Sequence, residues 1–413
     1  MTKCLLITSI FPPIHGGSAV VYENAARFNR PASIHILAPW RHYENGEVLE
    51  GWKEFDKKAR YPIHRTELIR PPIIKTKSIF HSIWVFLTVD LKIRIKVFHK
   101  VAHLVRRENI EVICIGELES ASWIGIMAKR WLGCKVINYI HGEEITSNAP
   151  YRFFRNRRQK YLHAADGIVA VSDFTRQALI NQMHIASDKI ELIKNGVNLN
   201  AFYIKEKRQD LIDRYSLSGK KIILSVGRLV PRKGFDHTIK ALPGILEKCP
   251  NAVYMLIGTG EYQPELERLA KECGVSKQVI FAGRIKEEEL TDHYNLCDIF
   301  VMPNRELPNH DTEGFGLVFL EANACGKAVV GGRAGGVVEA VLDGENGILV
   351  NGENIDEIDQ AISKLLTDDE YRETIEKRGL EIALASSSEI RAHRFYQLCE
   401  QLAGDEYLIY ENA

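Results

Sequence analysis

Residues 222–246 read IILSVGRLVPRKGFDHTIKALPGIL, and this stretch indicates the fold. Its first five residues form a nearly continuous apolar run, which is typical of a parallel strand buried on both faces. A loop with glycine and basic residues follows at 227–234, and residues 236–246 have the pattern of a helix. A strand, a loop and a helix in this order form the repeating unit of α/β folds.

The same alternation extends from this unit along the whole chain. In the first half it predicts strands at Cys4–Thr8, Ile34–Ala38, Val112–Ile115, Val136–Tyr139 and Ile168–Val171. In the second half it predicts strands at Ile222–Val226, Val253–Ile257, Val279–Phe281, Ile299–Met302, Ala328–Val330 and Ile348–Val350. Helices are predicted between them, for example at Asp236–Leu246, Gln263–Cys273 and Glu287–Asn295. The fold class is therefore α/β, with two Rossmann-like, doubly wound domains facing a cleft.

The domain boundaries follow from length and turn content. A chain of 413 residues is too long for one ordinary core. The turn-rich stretch 195–198 precedes a fresh series of strands that starts at Lys220. We therefore predict an N-terminal domain at 1–197 and a C-terminal domain at 198–385. Residues 386–413 are expected to form a helical tail that packs back on the N-terminal domain.

Several classes of protein are excluded by composition. The eight cysteines are scattered without a C-x-x-C pair, so we expect reduced, buried thiols and neither a zinc site nor a disulfide framework. The N-terminal strand pattern soon meets Pro12, which does not fit a signal peptide. The most apolar window, Ile79 to Leu91, is broken by His81 and Asp90 and is too short to span a bilayer. The predicted location is cytoplasmic.

Charge is unevenly distributed although the net charge is zero. Residues 1–200 hold 29 Lys/Arg and 18 Asp/Glu, so the first half is basic and the second half is acidic. One basic and aromatic segment contains Tyr151, Arg152, Phe153, Phe154, Arg155, Arg157, Arg158, Lys160 and Tyr161, and a second basic group contains Lys92, Arg94, Lys96 and Lys100. We predict peripheral contact with an anionic membrane or a lipid-linked acceptor, and no nucleic-acid partner. The alternative is a solvated helix face whose aromatic residues belong to the core.

The sequence EGFGLVFLE at 313–321 predicts an anion-binding site. Leu317 to Cys325 has the pattern of a short buried helix, whose first backbone N–H groups lack intrahelical acceptors and attract anions. Gly316 allows a ligand to approach the backbone closely. Glu313 precedes the anion site and Glu321 lies about one turn inside the helix, a layout that matches sugar, diphosphate and ribose. The alternative is a core helix with two incidental glutamates.

The loop that follows the first strand of the second half is basic. Gly227 permits a tight turn, Arg228 offers a forked guanidinium and Lys233 a mobile ammonium group. Two cations at this position can neutralise a departing diphosphate in place of a metal ion. A solvated basic loop is the alternative.

Weaker candidates lie at other strand ends. Glycine-containing turns that could present backbone groups to a nucleotide occur at Gly16, Gly17, Gly258, Gly260, Arg284 and Ile285. Each is equally compatible with a plain turn. His141 ends a predicted strand, where a ligand can reach it, although a lone histidine is more often structural. Ser172 or Asp173 is expected to cap a helix.

Taken together, these motifs resemble the GT-B glycosyltransferases of family 4 over nearly the whole chain, nearest to the phosphatidylinositol mannosyltransferase-like and exopolysaccharide branches. The resemblance implies that Arg228, Lys233, Glu313 and His141 serve the reaction. It also implies donor-binding roles for Gly16, Gly17, Gly227, Gly258, Gly260, Arg284, Ile285, Phe315, Gly316, Leu317 and Glu321. In this scheme the N-terminal domain at 1–197 binds the acceptor and the C-terminal domain at 198–385 binds the donor. The helix N–H groups hold the diphosphate, Glu321 the ribose and Glu313 the sugar hydroxyls.

The resemblance implies a retaining transfer of mannose or glucose from a nucleoside-diphosphate sugar, with GDP-mannose slightly favoured over UDP-glucose. The acceptor is expected to be a hydroxyl of a glycan, a glycolipid or a lipid-linked saccharide. No cofactor and no metal are expected, since an Asp-x-Asp motif is lacking. The alternatives are a nucleotide-sugar isomerase or epimerase and a non-catalytic nucleotide-binding regulator. An isomerase would convert the donor without any acceptor.

Overall fold

The computed structural model describes residues 1–14, 16–72, 74, 78–146 and 157–404. It divides into two compact units. The first unit comprises Met1–Lys194 together with the helix Ser388–Ala403, and the second unit comprises Asn195–Ser387. Each unit is built around its own parallel sheet.

The first unit contains seven strands in the spatial order β3-β2-β1-β4-β5-β6-β7, all parallel. The strands are β1 (Cys4–Ile7), β2 (Ile34–Pro39), β3 (Ile63–Thr66), β4 (Val112–Ile115), β5 (Lys135–Ile140), β6 (Gly167–Ala170) and β7 (Ile190–Leu192). The helical segments are Gly17–Arg27, Trp52–Lys58, Ile79–Val85, Phe86–Asp90 (a π-helix), Leu91–Glu108, Leu118–Leu132, Glu143–Thr146, Arg158–Ala164, Asp173–Met183, Ser187–Lys189 (a 3₁₀ turn) and Ser388–Ala403.

The second unit contains six parallel strands in the order β10-β9-β8-β11-β12-β13. The strands are β8 (Lys221–Val226), β9 (Ala252–Ile257), β10 (Val279–Gly283), β11 (Ile299–Met302), β12 (Ala328–Gly332) and β13 (Gly347–Val350). The helical segments are Gln209–Arg214, Pro231–Lys233 (a 3₁₀ turn), Phe235–Lys248, Gln263–Glu272, Glu287–Leu296, Leu317–Ala324, Val337–Ala340, Ile355–Thr367 and Asp369–Ala385.

The continuous apolar runs of the sequence become the buried strands of both sheets. In β1, Cys4 lies between Ile34 of β2 and Val112 of β4, and every residue of β1 is buried. The α/β class with two doubly wound parallel sheets is thereby confirmed. The strand order reverses between β1 and β4 and again between β8 and β11. Open α/β sheets bind ligands beyond the carboxyl ends of the strands at such points.

Two strands were missed from the sequence. The strand β3 lies at the edge of its sheet, is only half-buried and includes the polar residues His64 and Arg65, so it lacks a continuous apolar run. The strand β7 is three residues long and lies at the other edge. The ends of the predicted strands match those observed to within two residues, and Val112–Ile115 and Ile299–Met302 match at both ends.

The predicted helix cap at Ser172 is confirmed. The Ser172 hydroxyl accepts a hydrogen bond from the backbone N–H of Thr175, so Ser172 is the helix cap. Seven of the eight cysteines are buried and Cys273 is partly exposed, and all eight are free thiols. Among the residues that the structure describes, no helix combines the length and apolar character needed to cross a bilayer.

The basic and aromatic segment needs a correction. Arg158 was expected at an exposed cationic surface, but only 3% of it is exposed, and its guanidinium forms an ion pair with Glu119. Burial of a guanidinium is tolerated when a carboxylate faces it. Arg157 and Lys160 are exposed, as expected. The remaining members, Tyr151, Arg152, Phe153, Phe154 and Arg155, lie outside the described residues.

Candidate active site

Three loops at the carboxyl ends of β8, β9 and β10 meet in the second unit. The N–H of Gly227 donates to the carbonyl of Ile257, and the N–H of Gly258 donates to the carbonyl of Gly283. A Cβ atom on Gly258 would lie 2.0 Å from the carbonyl oxygen of Gly227, and one on Gly260 would lie 2.2 Å from that of Leu229. These glycines are therefore required by close backbone packing alone, whether or not they also contact a ligand.

Lys233 lies inside this group of loops, whereas Arg228 reaches into solvent. The Lys233 ammonium donates to Glu313 Oε2 at 3.1 Å and lies 3.6 Å from the sulfur of Met302. Arg228 is exposed and forms no ion pair within the described part of the chain. Lys233 and Glu313, which are 80 residues apart in sequence, are thus brought into direct contact.

Glu313 is held in its ionised form by its neighbours. Burial raises the pKa of Glu313, but the charges of Lys233 and Arg232, together with the Lys233 hydrogen bond, outweigh burial and lower the pKa overall. Arg232 Nε lies 4.0 Å from Glu313 Oε2, and Arg232 Nη1 donates to Asp311 Oδ1 at 3.2 Å. Glu313 is consequently a fixed anionic acceptor, suited to hydroxyl groups of a sugar.

The helix Leu317–Ala324 begins directly after this carboxylate. Gly316 caps it in the left-handed conformation at a φ of 92°, and a Cβ atom there would lie 2.7 Å from the Phe319 ring. The backbone N–H groups of Phe315, Gly316 and Leu317 donate to no acceptor within residues that the structure describes. Free N–H groups at the positive end of a helix dipole form an anion site.

Glu321 lies one turn further along the same helix and is buried. Tyr294 donates its hydroxyl hydrogen to Glu321 Oε2 at 2.7 Å. Burial raises the pKa of Glu321 to about 7, against the opposing effects of the Tyr294 hydrogen bond and the Lys233 charge. The carboxyl group of Glu321 therefore titrates near neutral pH, in contrast to that of Glu313.

We expect Glu321→Gln to stabilise the protein at high pH only. Because the pKa of Glu321 is raised in the folded state, ionisation of this side chain destabilises the folded protein. The destabilisation is absent below the usual pKa of 4.5, grows as pH rises and is complete above about 7, and the glutamine variant does not suffer it. A shift of this size corresponds to about 3 kcal/mol. Urea unfolding at pH 5 and 8.5 measures the difference from the unchanged protein, with the exposed Glu288→Gln as control. A difference that is the same at both pH values would contradict the assignment.

In the first unit, His141 follows β5 and belongs to a hydrogen-bonded group with Tyr22 and Glu144. Its Nε2 lies 2.8 Å from the Tyr22 hydroxyl, which itself donates to the carbonyl of Gly116 at 2.7 Å. Tyr22 has no second hydrogen to donate, so His141 Nε2 carries the proton and Nδ1 is left as an acceptor. Burial lowers the pKa of His141 to about 4, so the ring is neutral at pH 7. It can accept a hydrogen bond from a ligand hydroxyl.

Glu144 completes this group. Its Oε2 accepts a hydrogen bond from the backbone N–H of His141 at 3.1 Å, and burial raises the pKa of Glu144 to about 7. The side chain of Glu144 therefore stabilises the turn that follows β5 and fixes the position of His141.

The other candidates are placed at strand ends with few contacts. Gly16 and Gly17 are exposed at the start of the helix Gly17–Arg27, and the Gly17 N–H donates to no acceptor in the described ranges. Arg284 is exposed and Ile285 half-exposed after β10, and no hydrogen bond or ion pair joins either to the other candidates. Within the described residues, no three His, Cys, Asp or Glu side chains are grouped so as to hold a metal ion.

Three residues that shape these sites were not predicted. Arg232 lies in the basic loop after β8, yet it is buried between Asp311 and Glu313. Tyr294 and Tyr22 lie in ordinary helical patterns, and nothing in their sequence surroundings indicates their partners. The spacing Asp-x-Glu at 311–313 opposite Arg-Lys at 232–233 is the pattern that could have identified Arg232.

The fold is that of the GT-B glycosyltransferases, as predicted. Family models match both halves of the chain: Glycosyltransferase Family 4 over residues 16–201 and Glycosyl transferases group 1 over residues 207–381. The chain belongs to glycosyltransferase family 4 and is a retaining hexosyltransferase. The isomerase and regulator alternatives receive no support from these matches.

Relatives and solved structures agree with this assignment. The GDP-mannose-dependent alpha-(1-6)-phosphatidylinositol monomannoside mannosyltransferase of Mycolicibacterium smegmatis is 31% identical over 369 residues, which is 88% of this chain and 89% of that protein. A Corynebacterium glutamicum mannosyltransferase, named for a monoacylated form of the same acceptor, is 28% identical over 89% of each protein. Anabaena HepE, crystallised with UDP and glucose, superposes with a TM-score of 0.76 at 20% identity over 98% of this chain and 100% of that chain, and shows the fold alone.

Proposed function

We propose that this hexosyltransferase transfers mannose from GDP-mannose to a glycolipid at a membrane surface. The observation that carries the proposal is the Lys233–Glu313 pair beside the free N–H groups of the helix Leu317–Ala324. A bound diphosphate can form an ion pair with Lys233 in place of Glu313 and can accept hydrogen bonds from those N–H groups. Glu313 is then available to accept hydrogen bonds from the sugar hydroxyls. The choice of mannose, GDP and a glycolipid rests on the names of the relatives that are about 30% identical.

The two units would bind different substrates. In this proposal the second unit, which contains Lys233, Glu313 and Glu321, binds the donor. The first unit, which contains His141 and the exposed Gly17, binds the acceptor. The neutral His141 Nδ1 fits a sugar hydroxyl, because a neutral imidazole nitrogen accepts a hydrogen bond without adding charge.

The reaction would proceed by displacement on the front face. The bond between mannose C1 and the diphosphate oxygen breaks, and the acceptor hydroxyl attacks C1 from the same side, so the anomeric configuration is retained. The departing diphosphate oxygen takes the acceptor proton. The protein positions both substrates and stabilises the negative charge that grows on the leaving group.

No divalent metal is needed in this proposal. Arg228, Lys233 and the positive end of the helix Leu317–Ala324 together offset the charge of the diphosphate, which is the usual contribution of a metal ion. This makes the site dependent on both side chains rather than on an added cation.

We expect GDP to stabilise the protein more than UDP does at the same concentration. A ligand that binds only the folded state raises the melting temperature in proportion to the logarithm of its concentration over its Kd. The measurement is a thermal-shift titration with GDP, UDP and ADP in the presence of chelator, with Lys233→Ala as the control that should lose the shift. A larger shift with UDP than with GDP would overturn the proposed base.

Contact with a membrane is supported by an exposed apolar stripe in the first unit. We name it the apolar ridge, and its members recur at nearly every fourth position: Ile79, Phe80, Ile83, Trp84, Leu87, Leu91 and Ile95. Seven of the sixteen large hydrophobic side chains exposed in the described chain belong to it, with Phe80 at 80% and Trp84 at 61% exposure. A contiguous exposed apolar patch marks an interaction surface.

Positive charge accompanies the ridge. From residue 79 to 107 the chain carries Lys92, Arg94, Lys96, Lys100, Arg106 and Arg107. The only carboxylate in that range is Asp90, which is buried. An apolar face flanked by Lys and Arg is typical of a helix that lies in the interface of an anionic membrane.

A further inference from the structure

A cavity of about 460 Å³ opens in the first unit beside the apolar ridge. Its walls come from the helices Leu91–Glu108 and Leu118–Leu132 and from the start of the helix Arg158–Ala164. The lining consists of Leu91, Arg94, Ile95, Phe98, His99, Trp123, Ile126, Met127, Arg157, Lys160 and Tyr161. The volume lies within the range of small-molecule sites, about 300–1,000 Å³.

The cavity is lined mostly by apolar side chains, and its charged lining residues are cations. Seven of its eleven lining residues are aliphatic or aromatic, three are Arg or Lys, one is His, and none is acidic. The Arg94 guanidinium lies over the Trp123 ring at 5.1 Å from the centroid. Its buried Nε has no hydrogen-bond acceptor in the described part of the chain. A buried donor without an acceptor is costly, so this group favours an anionic ligand oxygen.

We propose that this cavity binds one acyl chain of an anionic phospholipid, with the lipid phosphate near Arg94 and Lys160. The proposal rests on the membrane contact proposed above. Leu91 and Ile95 belong to both the apolar ridge and the cavity lining, so the cavity adjoins the surface that is proposed to contact the bilayer. A neighbouring cavity of about 490 Å³ shares His99 and is otherwise lined by Ala102, His103, Arg106 and Arg107, again without a carboxylate.

The positive charge of the cavity lining favours an anionic phospholipid over a second copy of the chain as the occupant. A segment of protein that filled the cavity would need carboxylates opposite Arg94 and Lys160. A phospholipid supplies the required negative charge and the apolar chain in one molecule.

The test is photolabelling of the full-length protein by phosphatidylglycerol that carries a diazirine at the end of one acyl chain. The probe is presented in phosphatidylcholine vesicles and, separately, as a water-soluble short-chain analogue, in both cases without a sugar donor. Labelled peptides are mapped by mass spectrometry. We expect labels on Phe98, Trp123, Ile126 or Met127 in both arms. Labels confined to residues 79–87, or absent from the cavity in both arms, would overturn the proposal.

A cavity-filling variant gives the second measurement. Ile126→Trp should reduce labelling of the cavity peptides at least about fivefold, whereas Ile390→Trp, an equal enlargement at an exposed position of the same unit, should not. Melting temperature and vesicle co-sedimentation should stay unchanged in both variants. Unchanged labelling in Ile126→Trp would contradict the assignment of the cavity.

These experiments distinguish a failure of the acyl-chain site from a failure of the proposed function. If the short-chain probe labels the cavity but the protein does not sediment with vesicles, the acyl-chain site is supported and the membrane contact is excluded. Sedimentation and mannosyl transfer without cavity labelling would leave the proposed function standing and remove the acyl-chain site. Arg94→Gln should weaken labelling by phosphatidylglycerol more than labelling by the corresponding phosphatidylcholine probe, because only the first carries net negative charge.

Discussion

Replacing Lys233 or Arg228 by alanine is expected to lower turnover by roughly 30- to 1,000-fold. Each variant removes a cation that contacts the diphosphate more strongly as negative charge grows on it, and one such contact contributes about 2–4 kcal/mol to the barrier. The measurement is kcat and KM for mannosyl transfer, together with the melting temperature of each variant. We expect the loss mainly in kcat, since the contact strengthens in the transition state.

The matched control is Lys240→Ala, because Lys240 is exposed on the neighbouring helix Phe235–Lys248 and has no part in the site. Its turnover should equal that of the unchanged protein. Lys233 also pairs with the buried Glu313, so Lys233→Ala is expected to lose some stability as well. Because Arg228 is exposed, Arg228→Ala should lower turnover without lowering stability, and it therefore separates the effect on catalysis from the effect on folding. Near-normal turnover in both variants would exclude a role in holding the diphosphate.

The double variant Phe80→Ser with Trp84→Ser is expected to lower binding to anionic vesicles by at least about tenfold. Both side chains are mostly exposed, so the fold loses little, whereas each can bury a large apolar surface in a bilayer, worth about 1.5–3 kcal/mol. Co-sedimentation with phosphatidylcholine vesicles, with and without phosphatidylglycerol, measures the effect at low and high salt.

The apolar control for this experiment is Leu384→Ser with Ile390→Ser, which removes two exposed aliphatic side chains outside the ridge. A charge variant, Lys92→Glu with Lys96→Glu, should abolish the preference for anionic vesicles, since both lysines are exposed next to the ridge. Arg158 is unsuitable for charge reversal because it is buried against Glu119. Equal binding by the ridge variant and the control would exclude the ridge as the membrane contact.

The sequence predicts this fold well because its strands are buried on both faces. Short continuous apolar runs such as Cys4–Ile7 and Ile299–Met302 are typical of central parallel strands, and both form such strands in the structure. The edge strands β3 and β7 of the first sheet were missed because partial exposure or short length leaves them without an apolar run, whereas the edge strands β10 and β13 of the second sheet keep such a run and were predicted. The helix Leu317–Ala324 was predicted to within one residue from its flanking glycines.

The candidate site could be predicted only where its residues cluster in sequence. Glu313, Glu321 and the helix between them form one local motif. The family resemblance assigned Lys233 and Glu313 to different parts of the donor, and their direct contact was found only from the structure. Tyr294 is 27 residues from Glu321 and occupies an unremarkable helical position. Tertiary contacts of this kind leave no local pattern, so the raised pKa of Glu321 and its hydrogen bond could be found only from the structure.

The measurement that tests the central claim most directly is transfer of radiolabel from GDP-mannose into an organic-soluble lipid product in excess chelator. The protein is incubated with labelled GDP-mannose or UDP-glucose and an extract that contains phosphatidylinositol mannosides. The account predicts label in the lipid phase from GDP-mannose, undiminished by chelator and greatly reduced in Lys233→Ala. Label that appears only from UDP-glucose, or only after addition of magnesium or manganese, would contradict it.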